Sequence, residues 1–173
     1  AYLTYARYLD NQLECHVDAF QAYQRSSEKK YIPGQIALGL AYFNGNGTMK
    51  NISKGLSLLN DAADKGSIEA LCNLCKIYYR RMEYETVLKY AKRFGQNNKL
   101  CSILSRAFSG VAYFGQKNYR YAVQELFNEE LQQVIIHKEN SDLYYYNEGV
   151  NFVADHILYA IGNIYANANN CQR

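Results

Sequence analysis

Two glycines that follow an apolar run, in Leu38 to Gly47 (LGLAYFNGNG), are the first residues whose spacing could support chemistry. A glycine-rich loop that follows a strand can hold a phosphate group with its backbone amides, as in dinucleotide-binding folds. Here Lys50 stands in place of the third glycine of that motif, and the preceding segment has the periodicity of a helix. We therefore expect Gly45 and Gly47 to end a helix and turn the chain with positive φ angles.

Two of the five cysteines, Cys72 and Cys75, have the short spacing of a thiol motif. The sequence contains no second close pair, which a structural zinc site with two Cys-x-x-Cys pairs would need. It also lacks the βαβ pattern that accompanies such a pair in a thioredoxin-like protein. We therefore expect both side chains to be small buried hydrophobes.

The three histidines, His16, His137 and His156, are far apart and form no metal-binding motif such as H-E-x-x-H. Asp155 precedes His156, but no serine or cysteine in a recognisable nucleophile motif accompanies this pair. The sequence therefore predicts a protein that is not an enzyme and has no catalytic residue, metal or cofactor. An enzyme whose site is assembled across several segments stays open as the alternative class.

Length and composition favour one helical domain. The chain has 173 residues, 49% of them hydrophobic, and a single proline. Its net charge of +3 is small, which gives no sign of nucleic-acid binding, and no apolar run reaches the roughly 18 residues of a membrane span. A start at Ala1 is compatible with signal-peptide removal and with trimming, so a periplasmic or secreted location and a cytoplasmic one both stay open.

One helical template recurs along the chain. Leu71, Leu74, Cys75 and Tyr78 lie at i, i+3, i+4 and i+7, which places four side chains on one face of a helix. The third position is small in every copy, as expected where a neighbouring helix approaches closely. The other copies are Tyr2, Tyr5, Ala6 and Leu9; Gln35, Leu38, Gly39 and Tyr42; Cys101, Leu104, Ser105 and Phe108; and Leu158, Ile161, Gly162 and Tyr165.

A second amphipathic segment follows each of the first four copies, so the repeating unit is a hairpin of a helix A and a helix B. Taking Tyr5, Leu38, Leu74, Leu104 and Ile161 as equivalent gives separations of 33, 36, 30 and 57 residues. The first three separations are typical of helical-hairpin repeats. The last one predicts an extended helix or an inserted element around Phe127 to Tyr146.

These repeats predict an all-α fold, an α-solenoid of antiparallel helix hairpins stacked into a right-handed superhelix. We expect a single domain, 1–173, with about four repeats at roughly 1–30, 31–67, 68–97 and 98–137 and an irregular C-terminal cap at 138–173. Cys72 and Cys101 would occupy similar places on successive A helices, so one disulfide bond between them stays open.

The copy from Gln35 to Ala70 contains Leu38-Gly39-x-x-Tyr42-x-x-Gly45-x-Gly47, followed by Lys54-Gly55 and Ala62-Ala63-x-x-Gly66. This pattern resembles the Sel-one-like repeat, a relative of the tetratricopeptide repeat. The next two copies look more like tetratricopeptide units, because Cys75 and Ser105 replace the glycine and Met82 to Tyr84 replace the long glycine turn. The segment after Phe127 is not explained by the resemblance.

The resemblance implies that the concave face binds a partner, with helix A positions just after the small residue and just after the tyrosine lining the groove. This groove would be apolar at its start and basic at its centre, where it would complement an acidic segment or a carboxylate terminus. The alternative is that its charges only solvate an exposed helix face. The predicted groove positions are Leu40, Phe43, Asn44, Lys76, Tyr79, Arg80, Arg106, Ser109, Asn163 and Asn167.

A second candidate surface is the run of Tyr144, Tyr145 and Tyr146. Three successive residues cannot all face inward on one helix, so at least one tyrosine should be exposed. Exposed tyrosine is enriched at protein interfaces, although packing in an end cap is the alternative.

Together these features predict a non-enzymatic module that binds another protein through its concave face or its C-terminal end. The resemblance implies a bacterial adaptor or inhibitor, with an immunity protein that neutralises an antibacterial toxin or effector as the alternative. No nucleic-acid partner and no membrane span are expected.

Overall fold

The computed structural model describes residues 15–95 and 99–127 and the single positions 3, 7, 155, 156, 159, 160, 162 and 163. This part of the chain contains seven complete helices and no strand, which confirms the predicted all-α fold class. The superhelical arrangement of the solenoid stays a prediction. The helices are α1 His16–Glu28, α2 Ile32–Asn44, α3 Ile52–Asp64, α4 Ile68–Arg80, α5 Tyr84–Lys92, α6 Lys99–Gly115 and α7 Tyr119–Leu126.

Within each of the two compact units, helices that follow one another in the chain pack against one another. Helix α2 contacts α1 and α3, and α6 contacts α5 and α7. Rings of α4 contact rings of α5. The chain forms two compact units, Ala1–Ala70 and Leu71–Arg173, and the predicted single solenoid domain of four repeats is not tested by this division.

The glycines after α2 form a turn between two helices, as the sequence predicts. Helix α2 has Pro33 in its first turn, and Gly45 caps its C-terminal end with φ 87°. The backbone amides of Gly45 and Asn46 both donate to the carbonyl of Ala41, at 2.8 and 3.0 Å. Gly47 also has positive φ, and its Cα approaches the backbone carbonyl of His16 so closely that a side chain would collide with it.

A glycine contact brings α2 and α3 together. A Cβ atom on Gly55 would lie 2.6 Å from the carbonyl oxygen of Gly39 and 2.8 Å from the backbone nitrogen of Phe43. The predicted close approach at the small position of helix A is thus confirmed in this hairpin. Buried Gln35 adds a polar link, because its amide donates to the Leu58 carbonyl at 3.0 Å and accepts from the Lys65 ammonium at 2.9 Å.

Each unit has its own apolar core. In the first unit, Phe20 of α1 meets Tyr42 of α2 edge to face, with ring centroids 5.1 Å apart. In the second unit, Phe94 stacks on the fully buried Phe108 at 5.7 Å. The other large fully buried side chains of the second unit are Leu74, Cys75, Val87, Leu104, Val111 and Leu126.

Two turns in the second unit share the same backbone geometry. Met82 and Lys117 both have φ 60°, and each amide donates at 2.9 Å to the carbonyl three residues earlier, on Tyr79 and Phe114. The amides of Glu83 and Asn118 donate at 2.9 Å to the carbonyls of Tyr78 and Tyr113.

This equivalence pairs Tyr78 with Tyr113, which are 35 residues apart, and not with Phe108 as the repeat template does. Helix α6 has 17 residues, whereas α2 and α4 have 13. The copy of the template that begins at Cys101 places Phe108 at the position of Tyr78, whereas the turn geometry places Tyr113 there. The template copy is therefore displaced towards the N-terminus by five residues, somewhat more than one helical turn.

Candidate protein-binding surface

The predicted groove residues of the first unit lie along α2. Leu40 and Phe43 are half-buried, and Asn44 is exposed at the end of the helix. Phe43 faces α3 through its backbone nitrogen, next to Gly55.

The predicted groove residues of the second unit lie on two helices. Lys76 and Tyr79 are half-buried on α4 and Arg80 is exposed at its last position, whereas Arg106 and Ser109 are half-buried on α6. The predicted Asn163 donates to the carbonyl of Tyr159 at 2.9 Å. Tyr144, Tyr145, Tyr146 and Asn167 lie outside the described residues.

Arg106 is directed at α7. Its Nη2 donates to the backbone carbonyl of Gln124 at 3.3 Å, and its Nε lies 3.3 Å from Oε2 of Glu125. A reversal of the charge at Arg106 would place a carboxylate beside Glu125. Such a variant would change the packing of α6 on α7 as well as any groove.

Tyr79 instead belongs to a set of aromatic contacts at the two equivalent turns. Its ring meets Tyr84, the first residue of α5, with centroids 5.7 Å apart and planes at 64°. At the next turn, Phe114 meets Tyr119, the first residue of α7, at 5.8 Å and 61°. The same edge-on pair therefore closes both turns, and this geometry is favourable between aromatic rings.

Two residues near the end of the described chain add a ring to each pair. His156 meets Tyr79 at 5.0 Å and 87°, and Tyr159 meets Phe114 at 6.2 Å and 85°. His156 and Tyr159 are three positions apart in the sequence, and each has a helical backbone conformation. We call the six residues Tyr79, Tyr84, Phe114, Tyr119, His156 and Tyr159 the aromatic shelf.

Part of the aromatic shelf is open to solvent. Tyr159 is 67% exposed and Tyr119 is 44% exposed, and the neighbouring Met82 is 74% exposed. A shallow cleft of about 400 Å³ lies beside Tyr84, lined also by Met82, Glu83, Glu85, Thr86 and Gln116. Large rings that remain in water on a folded chain are the side chains that protein partners most often cover.

Contacts beneath the aromatic shelf hold Tyr84 in place. Gly115 lies against its ring so closely that a Cβ atom would collide with the ring carbons. Gln116 donates to Oε1 of Glu85 at 2.6 Å, which links the turn after α6 to α5. The two turns are therefore joined by a ring contact and a polar contact.

The aromatic shelf contains a half-buried tyrosine hydroxyl, that of Tyr79. Burial raises the pKa of the Tyr79 hydroxyl, and Tyr84 and Tyr159 raise it further. A tyrosine hydroxyl at its ordinary pKa is already protonated at neutral pH, and a raised pKa keeps it so, which lets Tyr79 act as a hydrogen-bond donor.

The cysteines of the described chain are thiols and do not form a metal site. Cys15, Cys72, Cys75 and Cys101 are not in disulfide bonds, so the Cys72–Cys101 bridge that the sequence left open is not formed. Burial, followed by the charge of Cys72, raises the pKa of Cys75 well above its usual value, and Cys75 is fully buried as expected. Among the described residues no cluster of His, Cys, Asp and Glu could hold a metal ion.

Sequence reasoning identified one residue of the aromatic shelf, Tyr79, as a partner contact. It missed Tyr84, Phe114, Tyr119 and Tyr159. A sequence pattern could have identified Tyr84, Phe114 and Tyr119. An aromatic residue near the end of one helix is followed five positions later by a tyrosine, as in Tyr79 with Tyr84 and Phe114 with Tyr119.

No protein-family model matches the chain, and no solved structure matches it significantly. The resemblance to the Sel-one-like repeat therefore rests on the residues of Gln35 to Ala70 alone. Within the described residues, no helix has both the length and the apolar character needed to cross a membrane.

Proposed function

We propose that this chain is a non-enzymatic protein-interaction module that contacts another protein through the aromatic shelf. The observation that supports the proposal is the exposure of Tyr119 and Tyr159 next to rings fixed by their neighbours. Tyrosine offers a large contact area and a polar tip while losing little conformational freedom on binding. Anchors of this type supply much of the binding energy in protein interfaces.

In this proposal the helix hairpins form a solenoid that presents the aromatic shelf and the groove positions of α4 to the partner. The resemblance to Sel-one-like repeats supports the narrower proposal of an adaptor or inhibitor, and an immunity protein against a toxin or effector is one form of inhibitor. Both narrower roles require the same thing of the chain, a stable contact with one protein.

A pull-down from source-cell lysate with quantitative mass spectrometry tests the proposal. We compare the tagged protein with a Tyr119→Ser/Tyr159→Ser variant and with a control, Val17→Ser/Tyr31→Ser, which changes two exposed side chains of the first unit. We expect a saturable partner whose recovery falls at least about tenfold in the first variant, because each lost anchor costs about 1 kcal/mol or more. The control should retain the partner.

The absence of any saturable partner, or equal losses in both variants, would contradict the proposal. Circular dichroism of the three proteins shows whether the substitutions have left the helical content unchanged, so a folding defect is recognised directly.

A further inference from the structure

A second surface of the Leu71–Arg173 unit combines two tyrosine rings with two arginines. Tyr78 of α4 and Tyr90 of α5 stack with centroids 5.4 Å apart and planes at 13°. The guanidinium carbon of Arg81 lies 6.0 Å from the centroid of Tyr78, and that of Arg93 lies 5.5 Å from the centroid of Tyr90. We call Arg81, Tyr78, Tyr90 and Arg93 the arginine–tyrosine ladder.

The ladder holds its cations in defined positions. Both arginines are exposed and both rings are half-buried. The guanidinium groups therefore lie at the surface, next to packed aromatic rings. A guanidinium beside a ring gains a cation–π attraction and loses some of the freedom that a binding partner would otherwise have to remove. Arg81 is also oriented by Glu83, whose Oε1 lies 2.7 Å from its Nε.

The corresponding place in the preceding hairpin is built differently. Tyr42 occupies the template position of Tyr78 in α2, and there the ammonium of Lys54 lies 4.2 Å from the ring centroid and donates to the hydroxyl at 2.8 Å. Tyr42 is contacted by that lysine and by the edge-on ring of Phe20, whereas Tyr78 stacks on a second tyrosine and lies beside Arg81. The ladder therefore differs from the corresponding place in the α2–α3 hairpin, while in the α6–α7 hairpin Tyr113 also packs against a tyrosine, Tyr121, with centroids 5.4 Å apart.

The net positive charge of the whole protein is concentrated in the same stretch. Residues 80–93 contain five basic and two acidic side chains, and the rest of the chain contains 14 of each. The net charge of +3 therefore belongs to this stretch. A concentrated positive charge attracts anionic partners and increases their association rate.

We propose that the arginine–tyrosine ladder binds an acidic segment of a partner protein, through carboxylates that accept hydrogen bonds from the guanidinium groups of Arg81 and Arg93. Arginine presents a planar fork of donors that matches a carboxylate. The positive edges of the two rings also favour oxygen ligands. This inference rests on the proposed function only in that the partner is a protein.

The geometry favours an acidic peptide over single-stranded nucleic acid. Proteins that bind single strands offer ring faces on which bases stack. In the ladder, one face of each ring meets the other ring and an arginine lies beside each ring. A ligand at this surface would meet the exposed guanidinium groups of Arg81 and Arg93, and these suit carboxylates.

Fluorescence anisotropy with a labelled synthetic peptide of alternating Glu and Ser tests the proposal on the full chain. The comparison variants are Arg81→Gln/Arg93→Gln and a control of equal charge loss, Arg25→Gln/Lys50→Gln, which changes two exposed residues of the first unit. We expect the ladder variant to bind at least about tenfold more weakly, because bonds to charged groups contribute roughly 1.5–3 kcal/mol each. The control should bind like the original protein, and added salt should weaken binding.

Three outcomes would overturn the inference: no binding of the peptide by the original protein, equal loss in both variants, or tighter binding of labelled oligothymidylate than of the peptide. The Tyr119→Ser/Tyr159→Ser variant separates this inference from the proposed function. If the ladder inference alone is wrong, that variant still loses its partner while the Arg81→Gln/Arg93→Gln variant keeps it.

Discussion

At the scale of single residues, Met82 adopts a conformation that its side chain disfavours. Its φ of 60° lies in the left-handed region, where a Cβ atom costs roughly 1–2 kcal/mol. The Met82 side chain is 74% exposed and so contributes little packing in return. The turn is retained because the amide of Met82 and that of Glu83 both cap the end of α4.

We expect Met82→Gly to stabilise the protein by about 0.5–1 kcal/mol. Glycine removes the left-handed strain, and part of that gain is offset by the greater freedom of glycine in the unfolded chain. Urea unfolding followed by circular dichroism measures the change. Met49→Gly is the matched control, since Met49 is 90% exposed and does not have positive φ. A Met82→Gly protein no more stable than the control would show that the turn is not strained.

Tyr79 differs from an ordinary exposed groove residue because neighbouring rings fix its orientation. It contacts the rings of Tyr84 and His156, and burial raises the pKa of its hydroxyl further above neutral pH. A partner would therefore meet a ring already fixed in orientation. Fixed side chains bind with a smaller entropic cost.

At the scale of helices, the α2–α3 hairpin depends on the absence of side chains at Gly39 and Gly55. The two closest atoms that a Cβ on Gly55 would meet belong to the backbone of α2, and a backbone cannot rotate away as a flexible side chain can. The helices must move apart to accept any larger residue. Small residues here determine how closely the two helices pack.

We expect Gly55→Ala to destabilise the protein by about 1–2 kcal/mol. Overpacking of a fitted interface costs about 1–3 kcal/mol, and the better helix propensity of alanine recovers up to about 1 kcal/mol. Thermal and urea unfolding measure the loss. Gly162→Ala is the control, because Gly162 is helical and a Cβ there would have nothing within 4 Å. Equal stability of the two variants would mean that α3 can shift without cost.

At the scale of the whole molecule, folding keeps ionisable groups neutral in the core. Burial raises the pKa of the Cys75 thiol in the folded protein, so the unfolded chain loses that proton at lower pH than the folded one. The contribution of the neutral Cys75 thiol to the free energy of unfolding is fully present below the thiol pKa of the unfolded chain, about 8.5. It is lost as the pH rises towards the thiol pKa of the folded protein. Global stability should therefore fall in alkali.

We expect the free energy of unfolding to decrease by up to about 1.4 kcal/mol per pH unit above pH 8.5 through this one thiol. The Cys75→Ala variant should show a shallower decline over the same range, whatever its stability at neutral pH. Urea unfolding of both proteins between neutral pH and about pH 10 measures the two slopes. Parallel slopes would show that Cys75 is not responsible for the decline.

The amino-acid sequence by itself determined the features that depend on neighbouring residues. Helical spacing predicted the all-α fold, Gly45 and Gly47 predicted the turn after α2, and the small residue at Gly39 predicted a close helix contact. The burial of Cys75 followed from the same spacing. Each of these features was predicted from a pattern of residues within about two helical turns, so a local pattern is sufficient to predict it.

Only the tertiary structure decided how distant segments meet. It directed Arg106 to Glu125 and brought His156 to Tyr79. It also stacked Tyr90 on Tyr78. These contacts depend on which faces of two helices pack together, and a long helix such as α6 offers more than one apolar face, so its register is ambiguous in the sequence. Packing of whole helix faces resolves that ambiguity, because the buried area and the steric fit of many residues decide it together.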